Sequence, residues 1–382
     1  MSEPTERGGG WLRRSLLLVG AVVAVLALAE LALAWIRPQP TFDRVLRSNL
    51  AIFEPSDFLP YRLRPASSGA LVQEEFETTV HINSHGYRGP EFQTPKPAGT
   101  RRVLAIGDSF TFGWGVEDDE TYPARLDEAL GEDVEVINAG FAAGYYPDTY
   151  YVYLREYGLA LEPDLIVIGF YVGNDIDHDR VHENEWTEST EDGLPVRVRS
   201  TTTQFVDGFR FPIRMPWPYR YPVLRNSHLV HALVRLGKQR PETEPVEYFN
   251  HFIYRADYLP RTREAVGKVQ RLLGETHELA SAAGVPLVVV LIPAREQILP
   301  EAHPFERFEY MQGHELDKPQ RLFVKSFEKR GIHAIDLLPA MRAKAREEEL
   351  YFPKDRHWNR AGCDFAAQRI AEGLAAIGQS GG

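Results

Sequence analysis

The stretch Arg102-Val-Leu-Ala-Ile-Gly107-Asp108-Ser109-Phe110 begins with a short apolar run that ends in glycine and passes directly into a polar turn. The apolar and β-branched residues of Arg102–Gly107 predict a buried strand. In open parallel α/β sheets, ligands bind just beyond the carboxyl ends of the strands. Ser109 therefore occupies a position where a nucleophile is expected, provided that a histidine and an oxyanion site converge on it.

From residue 101 the chain alternates between strand-like and helical segments. Leu165–Phe170 is continuously apolar, which is typical of a strand buried on both faces. The predicted strands are Arg102–Gly107, Val134–Asn138, Leu165–Phe170, Leu287–Ile292 and Ile332–Ile335; the predicted helices are Tyr122–Leu130, Asp148–Tyr157, Arg263–Ala283, Lys318–Arg330 and Arg360–Ala376. Right-handed connections between them predict an α/β fold, with a five-stranded parallel sheet sandwiched by helices.

Two further motifs follow predicted strand ends. The run Asn138-Ala-Gly-Phe-Ala-Ala-Gly144 contains glycines that let backbone N–H groups approach a ligand, although a plain strand-to-helix turn has the same composition. Gly173-Asn174-Asp175 follows the third strand. Its asparagine either donates to a developing oxyanion or forms an Asx turn.

A last motif, Asp355-Arg356-His357-Trp358-Asn359, precedes the final helix. His357 can take the proton of a serine, and Asp355 can fix the tautomer of that histidine and stabilise its charged form. A loop that only caps the helix is the alternative. Because loops at one edge of a doubly wound sheet converge, we expect this motif to meet Ser109.

Together the motifs resemble those of the SGNH (GDSL-type) hydrolase family over about residues 100–378. The four blocks are Gly107–Ser109, Asn138–Gly144, Gly173–Asp175 and Asp355–His357, in that order. The resemblance implies the flavodoxin-like SGNH hydrolase fold, a serine esterase with a Ser-His-Asp triad, and neither a metal nor another cofactor. Ile82–Pro90 also resembles the segment that precedes this domain in membrane-anchored bacterial members.

The resemblance also implies roles for individual residues. Ser109 would be the nucleophile, His357 the general base and later the acid, and Asp355 the residue that orients His357. The oxyanion hole would consist of the Ser109 backbone N–H, a glycine backbone N–H and the side chain of Asn174. Gly144 is the first choice for that glycine, with Gly140 as the second.

The sequence departs from the family pattern in two places. Only Arg356 separates Asp355 from His357, whereas two residues are usual, and Asp336 is a possible substitute for Asp355. The shorter spacing also resembles acyl-transferring members that have an Asp-x-His-Trp stretch. In addition, the glycine turn is one residue longer than the common form.

The composition excludes several classes of function. The 382 residues carry a net charge of −11 with no basic cluster outside the N-terminus, which argues against a nucleic-acid partner. The single cysteine, Cys363, excludes a disulfide framework and a thiolate zinc site. The aromatic residues near the motifs, Trp114, Tyr145, Tyr146 and Trp358, are predicted to pack in the core rather than to line a substrate pocket.

The N-terminal segment Leu16–Ile36 is apolar apart from Glu30 and follows Arg13-Arg14. Its length suits one membrane-spanning helix, so residues 1–14 are interpreted as cytoplasmic and 15–36 as the anchor. A cleaved signal peptide is the alternative, with Leu16–Ala29 as its apolar region. Residues 37–100 are interpreted as a juxtamembrane region with short strands, and 101–378 as the catalytic domain with an insertion at about 178–255.

These interpretations predict an enzyme with its catalytic domain outside the cytoplasm, on the periplasmic or extracellular face. We expect it to hydrolyse a small acyl or acetyl ester, or an acylated carbohydrate, at the cell envelope. Two alternatives remain: an O-acyltransferase that modifies an exported polysaccharide or envelope polymer, and a non-catalytic envelope protein on the same fold.

Overall fold

The computed structural model describes residues 9–45, 51–73, 75–142, 144–176, 186–189, 193–200, 203–206, 209–212, 217–237, 251–299 and 313–380. Contacts divide the chain into two compact units. The first unit combines Met1–Arg47 with Arg214–Val246, and the second combines Ser48–Ile213 with Glu247–Gly382. All the residues that the sequence proposes for catalysis belong to the second unit.

The strands are short in the upstream region and longer in the central sheet. In chain order they are β1 (Phe53–Glu54), β2 (Arg62–Leu63), β3 (Ser67–Val72), β4 (Glu77–Ile82), β5 (Arg101–Gly107), β6 (Val134–Gly140), β7 (Leu165–Tyr171), β8 (Trp186–Ser189), β9 (Pro195–Val198), β10 (Thr203–Val206), β11 (Phe209–Pro212), β12 (Leu287–Ile292) and β13 (His333–Asp336).

The helices range from single turns to long helices of more than twenty residues. In chain order they are α1 (Gly9–Ile36), α2 (Phe42–Val45), α3 (Ser109–Phe112), α4 (Tyr122–Leu130), α5 (Pro147–Tyr153), α6 (His228–Gly237), α7 (Pro260–Ala282), α8 (Arg295–Ile298), α9 (Lys318–Arg330), α10 (Leu338–Lys344) and α11 (Arg360–Ser380). The helix α5 continues as a π-helical turn over Leu154–Gly158.

Among the described residues, five strands form one parallel sheet in the order β13-β12-β7-β5-β6. The central strand β7 is buried along nearly its whole length, as its unbroken apolar sequence predicted. The order reverses between β5 and β7, so the loops that follow these strands open a crevice at the carboxyl edge. The predicted α/β fold with a five-stranded parallel sheet is confirmed.

Helices cover both faces of this sheet. Leu104 and Ile106 of β5 belong to one apolar core, whereas Val103 and Ala105 of the same strand belong to the other. The alternation follows from the two-residue period of a strand. Helices α5 and α7 supply residues to the first core, and α11 supplies residues to the second, among them the buried Cys363.

An antiparallel hairpin, β3 paired with β4, precedes the sheet and lies in the region interpreted as containing short strands. The predicted insertion at 178–255 lies partly outside the described residues. Its described parts include two antiparallel pairs, β8 with β9 and β10 with β11, which the sequence had not indicated. The described part of the insertion also contains the helix α6.

The first unit contains α1, whose segment Trp11–Ile36 is long and apolar enough to cross a membrane, with a mean hydropathy of 2.7. None of that segment is buried against protein. A signal sequence near the N-terminus meets the same criteria of length and composition. The predicted apolar helix is therefore confirmed. Its length and composition suit both a retained anchor and a cleaved signal peptide.

Candidate active site

Ser109, His357 and Asp355 form one hydrogen-bonded chain. Ser109 Oγ lies 2.7 Å from Nε2 of His357, and Nδ1 of His357 lies 2.6 Å from Oδ1 of Asp355. Serine and histidine are 248 residues apart in sequence, so the fold alone brings them together. The arrangement has the order of donors and acceptors that a nucleophile, a general base and an orienting carboxylate require.

Ser109 is the first residue of α3, which begins where β5 ends. Asp108 caps that helix, because its Oδ1 accepts a hydrogen bond from the backbone N–H of Phe110 at 2.9 Å. The helix lies very close to the next strand: a Cβ on Gly140 would come within 2.1 Å of the Phe112 nitrogen. Glycine at position 140 therefore permits the packing that holds α3, and with it Ser109, above the sheet.

The loop that carries His357 is closed by an antiparallel bridge between Tyr351 and Trp358. Between Asp355 and His357 the single residue Arg356 adopts a left-handed backbone conformation, with φ of 74°. This turn brings Asp355 Oδ1 to 3.4 Å from the backbone nitrogen of His357 as well as to its ring. The short spacing that departs from the family pattern thus still allows direct pairing, at the cost of a strained residue.

Trp114 completes the surroundings of this carboxylate. Its Nε1–H donates to Oδ2 of Asp355 at 3.3 Å, while Oδ1 accepts from His357. Burial raises the pKa of Asp355, but the hydrogen bonds from His357 and Trp114 outweigh it and hold the pKa below its ordinary value. Asp355 is therefore ionised at neutral pH.

Glu75 contacts the same loop from the turn of the upstream hairpin. Its Oε2 accepts hydrogen bonds from the backbone N–H groups of Lys354, at 2.9 Å, and Asp355, at 2.6 Å. The neighbouring ring of Phe76 packs against Trp114 with 6.4 Å between ring centroids. Sequence reasoning missed Glu75, because a contact 280 residues away leaves no periodic signal.

Arg88, from the segment that precedes the domain, supports the loop after α3. Its buried guanidinium donates to the carbonyl oxygens of Phe112, Gly113 and Val116 and forms an ion pair with Asp118. These bonds hold both sides of the turn that carries Trp114. The upstream region therefore helps to position the candidate site.

Asn174 lies on the turn after β7. Its Nδ2 donates to Oδ2 of Asp108 at 2.9 Å, which uses one of the two N–H bonds of the amide. Asp175 holds this turn, because Oδ2 accepts from the Tyr171 backbone at 2.9 Å and Oδ1 accepts from the Tyr150 hydroxyl at 3.0 Å. Burial raises the pKa of Asp175 well above its ordinary value, with a further rise from the charge of Asp108.

The two glycines considered for the oxyanion hole differ in the structure. The N–H of Gly140 donates to Oδ1 of Asn138 at 3.0 Å and is therefore already engaged. Gly144 has a φ of 78°, a conformation that favours glycine, and lies in the turn that follows. Gly144 remains the predicted donor, and its role is a proposal.

The alternatives to this site have structural roles. Asp336 caps α10 by accepting a hydrogen bond from Leu338 N at 2.9 Å. Trp358, Tyr145 and Tyr146 are buried, as the packing interpretation predicted. Among the described residues, no group of three or more histidine, cysteine, aspartate or glutamate side chains is placed to hold a metal ion.

Comparison with known proteins gave one family match. Residues 252–381 match the family described as "SGNH hydrolase-like domain, acetyltransferase AlgX". The match includes Asp355 and His357, while Ser109 lies upstream of it. A search of curated proteins found no match.

Several solved structures resemble this chain at low identity. A lipase/acylhydrolase from Enterococcus faecalis is 15% identical, with 73% of this chain and 97% of that chain covered and a TM-score of 0.39. A lipolytic protein of the G-D-S-L family from Veillonella parvula is 13% identical, with 72% and 97% covered and a TM-score of 0.38. The esterase EstA from Pseudoalteromonas is 13% identical, with 72% and 98% covered and a TM-score of 0.35.

Three findings agree with the resemblance that the sequence motifs indicated. They are the five-stranded parallel sheet, the apolar N-terminal helix and the family match over residues 252–381. Together they confirm that this chain resembles the SGNH hydrolases.

Proposed function

We propose that the chain is a serine-dependent enzyme that cleaves an acyl ester through a covalent intermediate on Ser109. The observation that carries the proposal is the continuous hydrogen-bonded path from Ser109 Oγ through His357 to Asp355, with both contacts at or below 2.7 Å. A serine alcohol is a weak nucleophile unless an adjacent base removes its proton.

In the first half-reaction, Ser109 Oγ attacks the ester carbonyl while His357 Nε2 takes the hydroxyl proton. The tetrahedral intermediate collapses, the bond to the leaving alkoxide breaks, and His357 returns the proton to that oxygen. The ionised carboxylate of Asp355 stabilises the imidazolium while it exists. In the second half-reaction an acceptor hydroxyl loses its proton to His357 and attacks the acyl group. The bond between the acyl carbon and Ser109 Oγ then breaks, and His357 returns the proton to Ser109 Oγ.

The oxyanion would accept hydrogen bonds from the backbone N–H of Ser109, the backbone N–H of Gly144 and the side chain of Asn174. The contact of Asn174 with Asp108 supports this role, because it fixes the amide plane and leaves the second N–H for another acceptor. Removing one such donor typically lowers turnover by about 100-fold to 1,000-fold.

Hydrolysis, with water as the acceptor, is the first proposal. Acyl transfer to a carbohydrate hydroxyl is the second candidate, and two observations favour it. The matched family is described as an acetyltransferase, and the one-residue spacing between Asp355 and His357 resembles that of acyl-transferring members. Both reactions use the same residues and differ only in the acceptor.

We further propose that α1 is retained as an anchor and that the second unit acts outside the cytoplasm on an acylated carbohydrate or a small ester. The length and hydropathy of Trp11–Ile36 support the anchor.

The nucleophile can be tested on the full chain in detergent micelles. An aryl acetate reports turnover, and a fluorophosphonate probe followed by peptide mass spectrometry reports the labelled serine. Ser109→Ala should lower turnover by about 1,000-fold or more and abolish labelling. Ser68→Ala, on an exposed strand position, is the matched control and should retain both. Unchanged turnover in Ser109→Ala would reject this assignment of the nucleophile.

The acceptor can be tested with the same preparation. An acetyl donor is incubated with and without an unacetylated oligosaccharide, and both free acetate and acetylated sugar are measured. Acetate release that is independent of the sugar supports hydrolysis, whereas sugar-dependent consumption with acetylated product supports transfer. Neither product, with Ser109 unlabelled by the probe, would favour a non-catalytic protein.

A further inference from the structure

The first unit contains a carboxylate in the apolar helix α1 with an unusual set of partners. Glu30 accepts hydrogen bonds from Ser227 Oγ at 2.8 Å and from the backbone N–H groups of His228, at 2.5 Å, and Leu229, at 2.8 Å. These groups form the first turn of α6, whose N–H groups have no partner within the helix. Glu30 therefore caps α6 from a different helix.

This cap fixes the depth of α6 relative to α1. Tryptophans lie near both ends of the apolar segment, at Trp11 and Trp35, and both are exposed. Tryptophan is enriched where membrane helices cross the interface. Glu30 precedes Trp35 by five residues, which corresponds to about 7.5 Å along a helix. The start of α6 must therefore lie about that far below the level of Trp35, in the zone of about 5–10 Å that interfacial helices occupy.

The outer face of α6 is apolar. Leu233 and Leu236 are 60% and 62% exposed, and Leu229, one turn earlier, is half-buried. Their spacing of four and three residues places them on one side of the helix. The preceding segment adds exposed side chains of the same kind, among them Val223.

The charge of this region has one sign. Between Trp217 and Gly237 the sequence contains three arginines, Arg220, Arg225 and Arg235, and no aspartate or glutamate. Arg220 and Arg235 are exposed. Basic residues beside an apolar face favour a surface of anionic lipid.

We propose that α6 lies in the membrane–water interface at the C-terminal end of α1, with Leu229, Leu233 and Leu236 against lipid acyl chains. Arg220 and Arg235 contact the anionic headgroups. The proposal rests on the retention of α1 as an anchor and goes beyond the proposed acyl chemistry. It also explains Glu30: the carboxylate stands in the apolar segment because it caps the helix that lies on the membrane.

The full chain, in vesicles of phosphatidylcholine and phosphatidylglycerol, tests this arrangement. In a Cys363→Ser background, a fluorophore is attached to Leu233→Cys or Leu236→Cys, and lipids that carry a quencher at a shallow or a deep acyl position are added. Shallow quenching should exceed deep quenching by about two-fold or more at both positions. Val23→Cys, near the middle of α1, is the control and should be quenched mainly by the deep lipid.

The outcomes separate this proposal from the anchor itself. If Val23→Cys is quenched but Leu233→Cys is not, the anchor stands and the interfacial position of α6 is wrong. If the emission of Leu233→Cys depends on the protein-to-lipid ratio instead, a second copy of the chain covers this face and the proposal is overturned. If Val23→Cys is also unquenched, the anchor fails.

Two further arms test the cap and the charge. Glu30→Ala should lower the quenching of Leu233→Cys, whereas Glu30→Gln, which keeps an acceptor oxygen, should preserve most of it. Omitting phosphatidylglycerol should lower quenching by about two-fold. If neither Glu30→Ala nor the omission of phosphatidylglycerol changes the quenching of Leu233→Cys, the roles assigned to Glu30 and to the arginines are wrong.

Discussion

Two carboxyl groups near the carboxyl edge of the sheet lie in contrasting surroundings. Asp355, in the loop before α11, receives hydrogen bonds from His357 and Trp114, and its pKa lies below the ordinary value. Glu296, in α8 after β12, is buried, and its Oε1 accepts a long hydrogen bond of 3.4 Å from the Tyr254 hydroxyl. Burial raises the pKa of Glu296 to about 7. Both carboxyl groups are largely removed from water, but only Asp355 receives enough hydrogen bonds to keep its pKa below the ordinary value. Hydrogen-bond donors, rather than burial alone, therefore decide which of the two is fully ionised at neutral pH.

Replacing each of the two carboxyl groups by an amide should give the largest difference in turnover. Asp355→Asn should lower kcat by about 10,000-fold, because an amide holds His357 in the wrong tautomer. Glu296→Gln replaces a carboxyl that touches neither Ser109 nor His357, so turnover at pH 7 should change little. Steady-state hydrolysis of an aryl acetate measures both. Similar losses in the two variants would show that Asp355 has no special role.

The two carboxyls should also differ in how stability depends on pH. Glu296 has a raised pKa, so the folded state prefers its protonated form. Its contribution to the free energy of unfolding is complete below about pH 4, which is the pKa of a glutamate in the unfolded chain. Stability is then lost as the pH rises towards 7, with a cost of about 2–3 kcal/mol between pH 5 and pH 8. Glu296→Gln should remove this loss.

Thermal unfolding of both proteins at pH 5 and pH 8 measures the effect. Asp355→Asn is the control: the depressed pKa of Asp355 contributes stability that is complete above about pH 4 and is lost only as the pH falls through the folded value, so this variant should keep the native difference in stability between pH 5 and pH 8. If Glu296→Gln shows the same pH dependence as the native chain, the buried carboxyl is not the titrating group.

Glu75 allows the position of Asp355 to be tested separately from its charge, because Glu75 binds the backbone of the Asp355 loop and not the carboxylate. Glu75→Ala leaves the N–H groups of Lys354 and Asp355 without their acceptor and should lower kcat by about 10-fold to 100-fold, with KM nearly unchanged. Glu75→Gln keeps an acceptor oxygen and should restore most of the rate. Glu77→Ala, exposed on β4, is the matched control. Equal losses in the alanine and glutamine variants would contradict a positioning role.

The parts of this molecule that were predictable from sequence are those with local signals. The apolar run Leu165–Phe170 and the glycine-ended run before Ser109 each define a strand by composition, and strand order then brings the motif loops to one edge. The proximity of Ser109 to His357 followed from this reasoning. Helix α10 was missed, because it has only seven residues and begins directly after a short strand.

The contacts that support Ser109, His357 and Asp355 had no such signal. Trp114 was interpreted as packing, and its N–H bond to Asp355 depends on a loop 241 residues away. Glu75 lies in a hairpin turn, where an acidic residue is ordinarily solvated. Such contacts come from tertiary packing of segments remote in sequence, and a single sequence carries no periodicity that reports them.

The smallest expected effect concerns Trp114, which donates to the second oxygen of Asp355 at 3.3 Å. Trp114→Phe keeps an aromatic ring against Phe76 and removes only the N–H. At this length the bond contributes about 1 kcal/mol, so kcat/KM should fall by about five-fold at neutral pH. Because the lost N–H stabilised the charged carboxylate, the pKa of Asp355 should rise, and the loss should be larger at pH 5 than at pH 8. A pH profile of kcat/KM for both proteins measures this. A loss of the same size at every pH would mean that Trp114 acts through packing alone, and that His357 by itself keeps Asp355 charged.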